Sequence, residues 1–586
     1  MMPLALRFGI FTMEIAYLEP AISCLPADMA ITVLVMALFK LYNRVWAYAG
    51  MDELISVLKA SLVMEALYVT YRMLMGVAMP RSFYIFNWVF LFLLLAASRI
   101  SIRLVRQVWR KYAKGDGSSR HKIMIVGAGS AASLLIRELR NSSNSAKIVC
   151  LVDDNPAKRG KYIHGIPIVG DRQDIAFAVK KYDVDEIIIA IPSAPPKVAG
   201  EIITICNETP AKLKILPSIS ASLTSSLSQS VREVNYEDLL GRDAVVINNR
   251  EMEDFVQDKV VMVTGGGGTI GSELCRQIAA NRPKKLIVLD IYENGAYELQ
   301  MELLRNHPDI DVKVLIGSVR DYGRMETIFQ NEKPDVIYHA AAHKHVPLME
   351  HSPNEAVKNN CKGTLNLAKL ADKYHVKRFV LISTDKAVRP TNVMGATKRL
   401  CEMIVQAYNT MSETEFVAVR FGNVLGSNGS VIPLFLKQIE SGGPVTLTHR
   451  EITRFFMTVS EAVSLVLQAG LLAKGGEIFV LDMGQPVKIY DLAVNLIRLK
   501  GYVPDEDIKI EIVGLRPGEK LYEELLMAEE GLESTPNDLI YIGKPIDMDH
   551  KGFLRQLEHL ITVAETNGKK IKKEIGKVCD TYQPQI

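Results

Sequence analysis

The stretch VVMVTGGGGTIGSELCRQIAA, residues 260–280, constrains the fold of this 586-residue chain more than any other. A run of strand-forming residues leads into a glycine-rich turn, and the turn leads into a helix with one apolar face. This order starts a βαβ unit, and such units build parallel sheets covered by helices on both faces. The TGxxGxxG spacing is that of a dinucleotide fingerprint, in which a pyrophosphate binds at the helix N-terminus. We therefore expect a Rossmann-type α/β domain here.

The glycines of this turn have separate physical tasks. Gly265 permits the tight turn, Gly268 lets backbone N–H groups approach the pyrophosphate, and Gly271 allows the helix to pack on the strand. Thr269 and Ile270 lie between them at the start of the helix. All five residues are predicted to bind the cofactor.

Three later strand ends extend the predicted cofactor site. KKLIVLD ends at Asp290, whose carboxylate suits a ribose 2′-OH and repels a 2′-phosphate, so NAD is favoured and NADP is left open. VKVLIGSVRD ends at Asp321. In DVIYHAAAHKH, Ala340 and Ala341 are small enough to let the backbone pass close to a cofactor. We assign these four residues to cofactor binding.

The strand RFVLISTDK, residues 378–386, carries the strongest catalytic candidates. At its carboxyl end stand Thr384, Asp385 and Lys386, on the edge where doubly wound sheets bind their ligands. An acid and a base side by side are costly to bury unless they are used. The helix that follows carries Met394 and Lys398 one turn apart on the same face. We predict that these five residues form the catalytic centre.

An earlier segment repeats the pattern in weaker form. KIMIVGAGSAASLLIREL, residues 122–139, is a strand, a glycine turn and an amphipathic helix, followed by strands at 147–154 and 186–192. Its turn fits a GxGxxA fingerprint, with Asp153 or Asp154 at the end of the next strand. Two interpretations stay open, because a lone fingerprint is weak evidence. The segment is either a nucleotide site or an empty Rossmann scaffold that links the N-terminal region to the second domain.

Apolar residues are concentrated at the N-terminus. Residues 82–98 carry no charge over 17 positions and are followed by five basic residues within 99–111, which predicts a membrane helix with a cytoplasmic end. Residues 54–71 and 29–43 are weaker candidates interrupted by charges, and residues 1–18 are at most a partial span. No cleavable signal peptide is recognisable. We expect a multi-pass protein of the inner cell membrane with cytoplasmic catalytic domains; the alternative is a soluble helical domain.

The composition excludes several classes of partner. With 69 basic and 66 acidic residues, a net charge of +3 gives no reason to expect nucleic acid. The seven cysteines are scattered, without a CxxC pair or a Cys/His cluster, so no metal site is predicted. The length calls for several domains. The predicted parts are a transmembrane helical region (1–110), a first Rossmann-like domain (121–217), a connector (218–257), an NAD(P)-dependent domain (258–535) and a helical C-terminal tail (536–586).

Six motifs resemble those of a known family. In chain order, they are TGGGGTIGSEL, HAAAHKHVPLMEHSP, STDKAVRPTNVMGATK, RFGNVLGSNGSVIPLF, ITRFFM and LRPGEKLYEEL. They are similar to motifs of the membrane-bound UDP-N-acetylglucosamine 4,6-dehydratases, the CapD/WbpM-like polysaccharide biosynthesis proteins. This resemblance implies transmembrane helices followed by two doubly wound parallel-sheet domains. The second would be an extended short-chain dehydrogenase/reductase with a small C-terminal substrate-binding part.

The resemblance also implies a redox-neutral reaction on UDP-N-acetylglucosamine. C4 of the sugar is oxidised by NAD(P)+, water leaves across C5 and C6, and the hydride returns to C6, giving UDP-2-acetamido-2,6-dideoxy-4-ketohexose. Asp385 is the implied acid for the C6 hydroxyl and Lys386 the implied C5 base, while Thr384 bonds the C4 oxygen and Lys398 holds the nicotinamide ribose. Asp385 must then hold a proton near neutral pH and Lys386 must lose one, which desolvation favours in both cases.

A further set of residues is implied to hold the substrate. Arginine forks suit the diphosphate, and the glycine-serine turn after Asn423 suits it as well. Alone, the arginine of RPGEK would be interpreted as part of a surface turn. The implied substrate-binding residues are Lys344, Asn423, Ser427, Arg454, Arg516 and Glu519.

The sequence departs from the general family pattern at two positions. Met394 stands where short-chain enzymes usually carry tyrosine, and the longer membrane-bound members resemble this chain in having methionine. Methionine cannot accept a proton usefully, so we hypothesise that Asp385, or a water held by Thr384 and Lys398, accepts the C4 hydroxyl proton. Ser318 replaces the aspartate that usually contacts adenine, which predicts that adenine recognition is either weaker or shared with the backbone of Val319.

Two other functions compete with this one. A UDP-sugar 4-epimerase shares the fold and the oxidation step, but it needs neither a C5 base nor an acid at C6. A non-catalytic membrane nucleotide sensor would bind nucleotide without turnover. We also expect a homo-oligomer, with a dimer through helices of the catalytic domain favoured by analogy.

Overall fold

The computed structural model describes residues 19–20, 22–41, 51–77, 79–113, 121–141, 146–217, 230–241, 249–525 and 531–584. The chain divides into two compact units, Met1–Arg120 and His121–Ile586.

The N-terminal unit contains three helices, α1 (Leu25–Leu38), α2 (Met51–Leu74) and α3 (Arg81–Ala113). Within them, Leu54–Leu74 and Arg81–Ser98 are long and apolar enough to cross a membrane, by length and composition alone. They contain the predicted spans at 54–71 and 82–98. Helix α1 is a shorter apolar helix, and residues 42–43 of the predicted 29–43 span lie outside the described part of the chain, as do residues 1–18.

Polar side chains join these apolar helices. Arg72 of α2 forms an ion pair with Asp28 of α1. Between α2 and α3, the Asn87 amide donates to Glu65 over 2.8 Å and the Trp88 indole donates to Ser61 over 3.2 Å. In a low-dielectric environment each of these groups needs its partner, so the pairs fix how the helices face one another.

The second unit begins with a mostly parallel sheet. Its strands are β1 (Lys122–Val126), β2 (Lys147–Val152), β3 (Tyr162–Ile163), β4 (Ile166–Gly170), β5 (Glu186–Ile189), β6 (Lys212–Ile215) and β7 (Arg232–Glu233). The spatial order is β3-β4-β2-β1-β5-β6-β7, with antiparallel pairing at β3 and β7. Its helices are α4 (Ser130–Asn141), α5 (Ile175–Tyr182) and α6 (Pro196–Asn207). The predicted alternation of parallel strands and helices is confirmed here.

Residues of the fingerprint in this first sheet form hydrogen bonds with one another and with nearby side chains. Asp153 accepts hydrogen bonds from the Ala128 N–H at 2.7 Å and from Lys158 Nζ at 3.0 Å. Asp154 instead pairs with Arg172. Both interpretations of this segment, nucleotide site or scaffold, stay open.

A larger sheet follows, and its strand order carries the candidate site. Its parallel strands are β8 (Val260–Thr264), β9 (Lys285–Asp290), β10 (Asp311–Ile316), β11 (Val336–His339), β12 (Arg378–Ile382), β13 (Glu415–Arg420) and β18 (Ile478–Leu481). They are ordered β10-β9-β8-β11-β12-β13-β18. The order reverses between β8 and β11, and doubly wound sheets bind ligands at the carboxyl ends beside such a reversal.

Helices cover both faces of this sheet. They include α7 (Asn249–Val256), α8 (Thr269–Ala280), α9 (Glu293–Asn306), α10 (Tyr322–Glu332), α11 (Val346–His351), α12 (Pro353–Ala356), α13 (Gly363–Lys373), α14 (Val393–Asn409) and α16 (Val459–Leu472). Met252 and Val256 of α7 are buried in the apolar core beneath the sheet. The predicted connector at 218–257 therefore contributes β7 to the first sheet and α7 to the second core, because both segments carry residues that pair or pack there.

A smaller part is built from three short strand pairs. These pairs are β14 (Asn423–Val424) with β17 (Phe456–Met457), β15 (Val445–Leu447) with β20 (Ile510–Ile512), and β16 (Thr453–Arg454) with β19 (Val487–Lys488). Helices α15 (Val431–Glu440) and α17 (Ile489–Leu499) pack into the same core. Residues of this part line the cavity described below.

The chain ends by extending the sheet and covering one helix. Strand β22 (Ile540–Gly543) pairs antiparallel with β18, and β21 (Leu532–Ser534) pairs antiparallel with β22 at the edge of the sheet. The predicted boundary at 535/536 thus divides two strands of one sheet, and the tail begins after Gly543. Its helices α18 (His550–Glu565) and α19 (Ile571–Val578) pack with α14 in one apolar core. A dimer through catalytic-domain helices stays a prediction, and it would need a face other than the one covered here.

Candidate active site

The glycine-rich turn after β8 has the geometry that a dinucleotide requires. Gly265 has a φ of +69°, which L side chains rarely adopt. A Cβ at Gly271 would lie 2.0 Å from the carbonyl oxygen of Gly265, so only glycine lets α8 approach the turn this closely. Gly268 precedes the first residue of α8. The backbone at the helix N-terminus is therefore open to an anionic group.

Two residues that are predicted to bind the cofactor also accept hydrogen bonds from the backbone. Asp290, at the end of β9, accepts from the Gly267 N–H and the Tyr292 N–H, each at 2.8 Å. It thereby fixes the glycine turn. Asp321 caps α10 by accepting from the Arg324 N–H at 3.0 Å.

A cavity of about 670 Å³ extends from the glycine turn to the smaller part of the unit. Most of the predicted site residues line it. Those that do are Gly265, Gly268, Thr269, Ile270, Gly271, Ala340, Lys344, Thr384, Lys386, Met394, Lys398, Asn423, Ser427, Arg454, Arg516 and Glu519. Asp290, Asp321, Ala341 and Asp385 are outside this lining, so the cavity brings together the predicted centre except for its acid.

Asp385 lies directly behind the cavity wall. It is 1% exposed, and its Oδ1 accepts from Thr384 Oγ1 at 2.8 Å and from Lys386 Nζ at 3.0 Å. Its Oδ2 has no hydrogen-bond partner among the described residues. A Cβ at Gly422, which lines the cavity, would be 3.3 Å from this oxygen. The missing side chain of Gly422 thus leaves a short path from the Asp385 carboxyl to the cavity.

The backbone that holds this pair is a single 3-10 turn, Asp385–Ala387, which follows β12. Thr384 precedes the turn, and its hydroxyl accepts weakly from the Lys386 N–H at 3.4 Å. The turn places the acid and the base on the same side of the strand end.

Lys386 is surrounded by oxygen atoms. Besides Asp385, its Nζ contacts Asn423 Oδ1 at 3.1 Å and Glu523 Oε1 at 3.8 Å. Burial alone would lower the pKa of Lys386, but the negative charges of Asp385 and Glu523 outweigh burial and raise its pKa above the ordinary value. The expectation that desolvation frees Lys386 of its proton is therefore wrong for this state, because two carboxylates hold the proton on.

Lys398 and Met394, both on α14, also line the cavity. Lys398 is 6% exposed and its Nζ donates to the Ile382 carbonyl oxygen at 2.6 Å. Burial lowers its pKa. Met394 lies one turn earlier on α14, 4% exposed, with its thioether in the wall of the cavity. Neither residue offers a carboxylate or phenol at this position.

A buried ion cluster lies beneath the turn, and the sequence interpretation missed it. Glu402 of α14 accepts from Ser383 Oγ at 2.6 Å and from both Nε and Nη2 of Arg420 at 2.7 Å. Arg399 adds a longer contact at 3.3 Å. Burial would raise the pKa of Glu402, but the arginine charges lower it, so the carboxylate stays ionised. The cluster connects β12, β13 and α14 behind the turn that carries Asp385 and Lys386.

The predicted substrate-binding residues form the far side of the cavity. Arg454 is buried, and its guanidinium donates to the carbonyl oxygens of Thr453 and Lys520 at 2.7 and 2.9 Å and to Glu519 at 3.4 Å. These bonds fix its position. Arg516 is exposed at the rim.

Glu523 was not predicted as a site residue. It lies in the LRPGEKLYEEL motif, and it is buried between Lys386 and Arg454, whose Nε is 3.9 Å from Glu523 Oε1. The segment that carries it is bound to the start of α14, since Asn392 Nδ2 donates to the Gly518 carbonyl oxygen at 3.0 Å. The acidic pair in YEEL was the available signal, but only the fold shows which acid points inward.

Comparison with known proteins places two families on the chain. Residues 261–545 match the family described as polysaccharide biosynthesis protein, and residues 38–217 match a family described as CoA-binding domain. The capsular polysaccharide biosynthesis protein CapD of Staphylococcus aureus is 46% identical over 560 residues, which is 93% of this chain and 92% of that protein.

Two further similarities cover about half of the chain. The UDP-glucose 4-epimerase of Rickettsia canadensis is 37% identical over 278 residues, which is 47% of this chain and 79% of that protein. The solved structure of Pen from Bacillus thuringiensis is 39% identical with a TM-score of 0.46, and it covers 50% of this chain and 90% of that chain.

Proposed function

The chain belongs to the CapD-like family of polysaccharide biosynthesis proteins, and from this premise we propose that it is a nucleotide-sugar 4,6-dehydratase acting on UDP-N-acetylglucosamine. The observation that carries the proposal is the buried pair of Asp385 and Lys386, joined at 3.0 Å beside the cavity. An elimination across C5 and C6 requires one acid and one base on adjacent carbons, and this pair supplies both.

The residues of the glycine turn fit a nicotinamide dinucleotide. A side chain at Gly265 would collide with the Ala341 backbone and one at Gly271 with the Gly265 carbonyl oxygen, so the close turn depends on glycine, and residues at the N-terminus of α8 line the cavity. Asp290 favours NAD, because its carboxylate would repel a 2′-phosphate. When bound, the nicotinamide supplies the hydride acceptor for C4 and the hydride donor for C6. Lys398 would hold its ribose.

The proton steps fall to the turn after β12. Thr384 bonds the C4 oxygen, and Asp385 accepts the C4 hydroxyl proton as C4 is oxidised. The resulting 4-keto group makes the C5 proton acidic, and Lys386 removes it. Asp385 then gives its proton to the C6 oxygen, so that water leaves. This order gives one carboxyl both tasks, which Met394 cannot share.

The opposite wall binds the rest of the substrate. Arg454 is held in place by carbonyl oxygens, so little side-chain entropy is lost when it meets a phosphate. Arg516 at the rim, with Asn423, Ser427 and Glu519, would complete the contacts to the diphosphate and ribose.

We also propose the cellular setting and the assembly. The two apolar helices within 54–98 anchor the chain in the inner cell membrane, with the catalytic unit in the cytoplasm and a homodimer as the working assembly. Cysteine labelling of intact cells, at a residue placed in the loop between α2 and α3, tests this orientation. Labelling by an impermeant reagent agrees with it, and labelling only after lysis contradicts it.

A UDP-sugar 4-epimerase is the second candidate, favoured by the 37% identity with the rickettsial enzyme. Epimerisation leaves the mass of the sugar unchanged, whereas dehydration removes one water. The full chain in detergent, incubated with NAD and UDP-N-acetylglucosamine, separates the two by mass spectrometry. Loss of water supports the dehydratase, and an unchanged mass with inverted C4 supports the epimerase.

A further inference from the structure

Glu523 is a buried carboxylate in the cavity wall that the steps above leave unused. Its Oε1 lies 3.8 Å from Lys386 Nζ and 3.9 Å from Arg454 Nε. Its Oε2 is buried with no hydrogen-bond partner among the described residues. A carboxylate oxygen in such a position is costly unless it serves a purpose. Glu523 lies beside Lys386, the proposed C5 base, so its carboxylate can act on the protonation of that amine.

Lys386 enters the reaction with a proton that it has to lose. A C5 base must be a neutral amine, yet Asp385 and Glu523 keep this amine protonated. Solvent is a poor acceptor, because the Lys386 side chain is only 17% exposed and bound substrate would cover it further. The proton therefore needs an acceptor inside the site.

We propose that Glu523 is a positioning residue that takes the ammonium proton of Lys386 and later returns it, which sets the moment when Lys386 can act as the base. The proposal rests on the proposed dehydratase function. Glu523 acts through Lys386 and touches no reacting atom of the sugar.

The protons balance over one turnover. The C4 hydroxyl proton moves to Asp385, and with that negative charge gone Lys386 passes a proton to Glu523. Lys386 then removes the C5 proton, and Asp385 protonates the C6 oxygen, which leaves as water. After hydride adds to C6, Lys386 returns a proton to C5 and recovers its own from Glu523. All three side chains end as they began, and none of these steps needs a proton from solvent. In D2O the Lys386 amine exchanges its protons between turnovers, so it can return deuterium to C5.

The charges around Glu523 suit this exchange. The groups that face it are Lys386, Asp385, Arg454 and Lys520. Glu523 lies between the positive charges of Lys386 and Arg454, and Asp385 pairs with Lys386 as well. Burial raises the pKa of Glu523. This brings the pKa of the carboxyl closer to that of the Lys386 amine, so less free energy is needed to move the proton from Lys386 to Glu523. Protonation of Asp385 narrows this difference in pKa further, because it removes one of the two negative charges that hold the proton on Lys386.

The test compares Glu523→Gln and Glu523→Asp with Glu524→Gln as matched control. Glu524 is the adjacent acid, with its side chain 45% exposed and paired to Arg389 at 3.4 Å. Full chains in detergent are given UDP-N-acetylglucosamine in D2O. Three quantities are measured against pH: the transient absorbance of the reduced cofactor, loss of water, and deuterium uptake at C5. Thermal melting checks that each variant is folded.

We expect Glu523→Gln to keep transient cofactor reduction while water loss and C5 deuterium uptake fall at least about tenfold at pH 7. The rates should recover as pH rises, because Lys386 of the free enzyme can then lose its proton to solvent before substrate covers it, and the absence of the Glu523 charge favours that loss. Glu523→Asp should restore part of the rate, and Glu524→Gln should match the wild type.

Two results would overturn the role of Glu523. One is a wild-type rate and pH profile of water loss in Glu523→Gln, and the other is an equal slowing of oxidation and elimination at every pH. A wild-type chain that releases no water would instead contradict the proposed function, so the two failures are distinguishable.

Discussion

Lys386 Nζ lies 3.0 Å from Asp385 Oδ1, and the two side chains are consecutive in one turn of backbone. Neighbouring residues in a strand point to opposite faces. The 3-10 turn at the end of β12 removes that alternation, so acid and base share one side of the site. Each group therefore sets the charge state of the other, and the first prediction follows from this coupling.

Replacing Asp385 by asparagine should abolish both oxidation and dehydration. Asparagine keeps the shape but accepts no proton from the C4 hydroxyl and has none to give to the C6 oxygen. We expect each step to slow by at least about a hundredfold. Stopped-flow absorbance of the reduced cofactor reports the first step and mass spectrometry the second. Substantial cofactor reduction in this variant would show that another group accepts the C4 proton.

Replacing Met394 by leucine should change turnover by no more than about threefold, because leucine fills a similar volume. Met394 contributes apolar wall and no proton. Steady-state rates with UDP-N-acetylglucosamine measure the effect. A loss as large as that of Asp385→Asn, with a normal melting temperature, would mean that the thioether has a chemical task.

Two glycine variants test the assignment of the cofactor turn. In Gly271→Ala, the new Cβ would lie 2.0 Å from the Gly265 carbonyl oxygen, so the turn must open and NAD affinity should fall by at least about tenfold. Gly129→Ala, at the corresponding turn of the first sheet, meets nothing within 4 Å and should bind NAD normally. Calorimetric titration of both full-length variants with NAD measures the two affinities. Equal affinities would argue against NAD binding at the second turn.

Replacing Glu402 by glutamine should lower the free energy of unfolding by about 3–5 kcal/mol, because it removes the carboxylate that faces buried Arg420. The pKa of Glu402 is lowered by folding, so its contribution is present above its unfolded pKa and is lost as pH falls through the folded pKa. The stability difference between wild type and variant should therefore shrink on acidification. Denaturant titrations at several pH values measure it, and a constant difference would contradict the linkage.

The sequence was sufficient for elements whose local pattern is long enough to recognise. Strands, the glycine turn and the Thr384 to Lys386 cluster follow from short stretches whose periodicity and spacing have one physical meaning. What it missed depends on contacts between distant segments. Glu523 and Glu402 gain their roles only when the chain brings them beside Lys386 and Arg420. The pKa of Lys386 was predicted in the wrong direction for the same reason, since one of the two acids beside it was unrecognised.

Two of the predicted domain limits separate short strands from the sheets that they join. Two residues at Arg232–Glu233 complete the first sheet, and Ile540–Gly543 joins the second beyond the expected boundary. Segments this short show no periodicity in their sequence. Whether they join a sheet depends on which strand edge the rest of the fold leaves unpaired.

Deuterium at C4 of UDP-N-acetylglucosamine tests the central claim most directly. A 4,6-dehydratase moves hydride from C4 to C6 of the same sugar, so the product should have lost one water and should carry the deuterium in its C6 methyl group. NMR and mass spectrometry of the product from the full chain with NAD report both. Retention of all oxygen atoms, with the deuterium still at C4, would contradict the account.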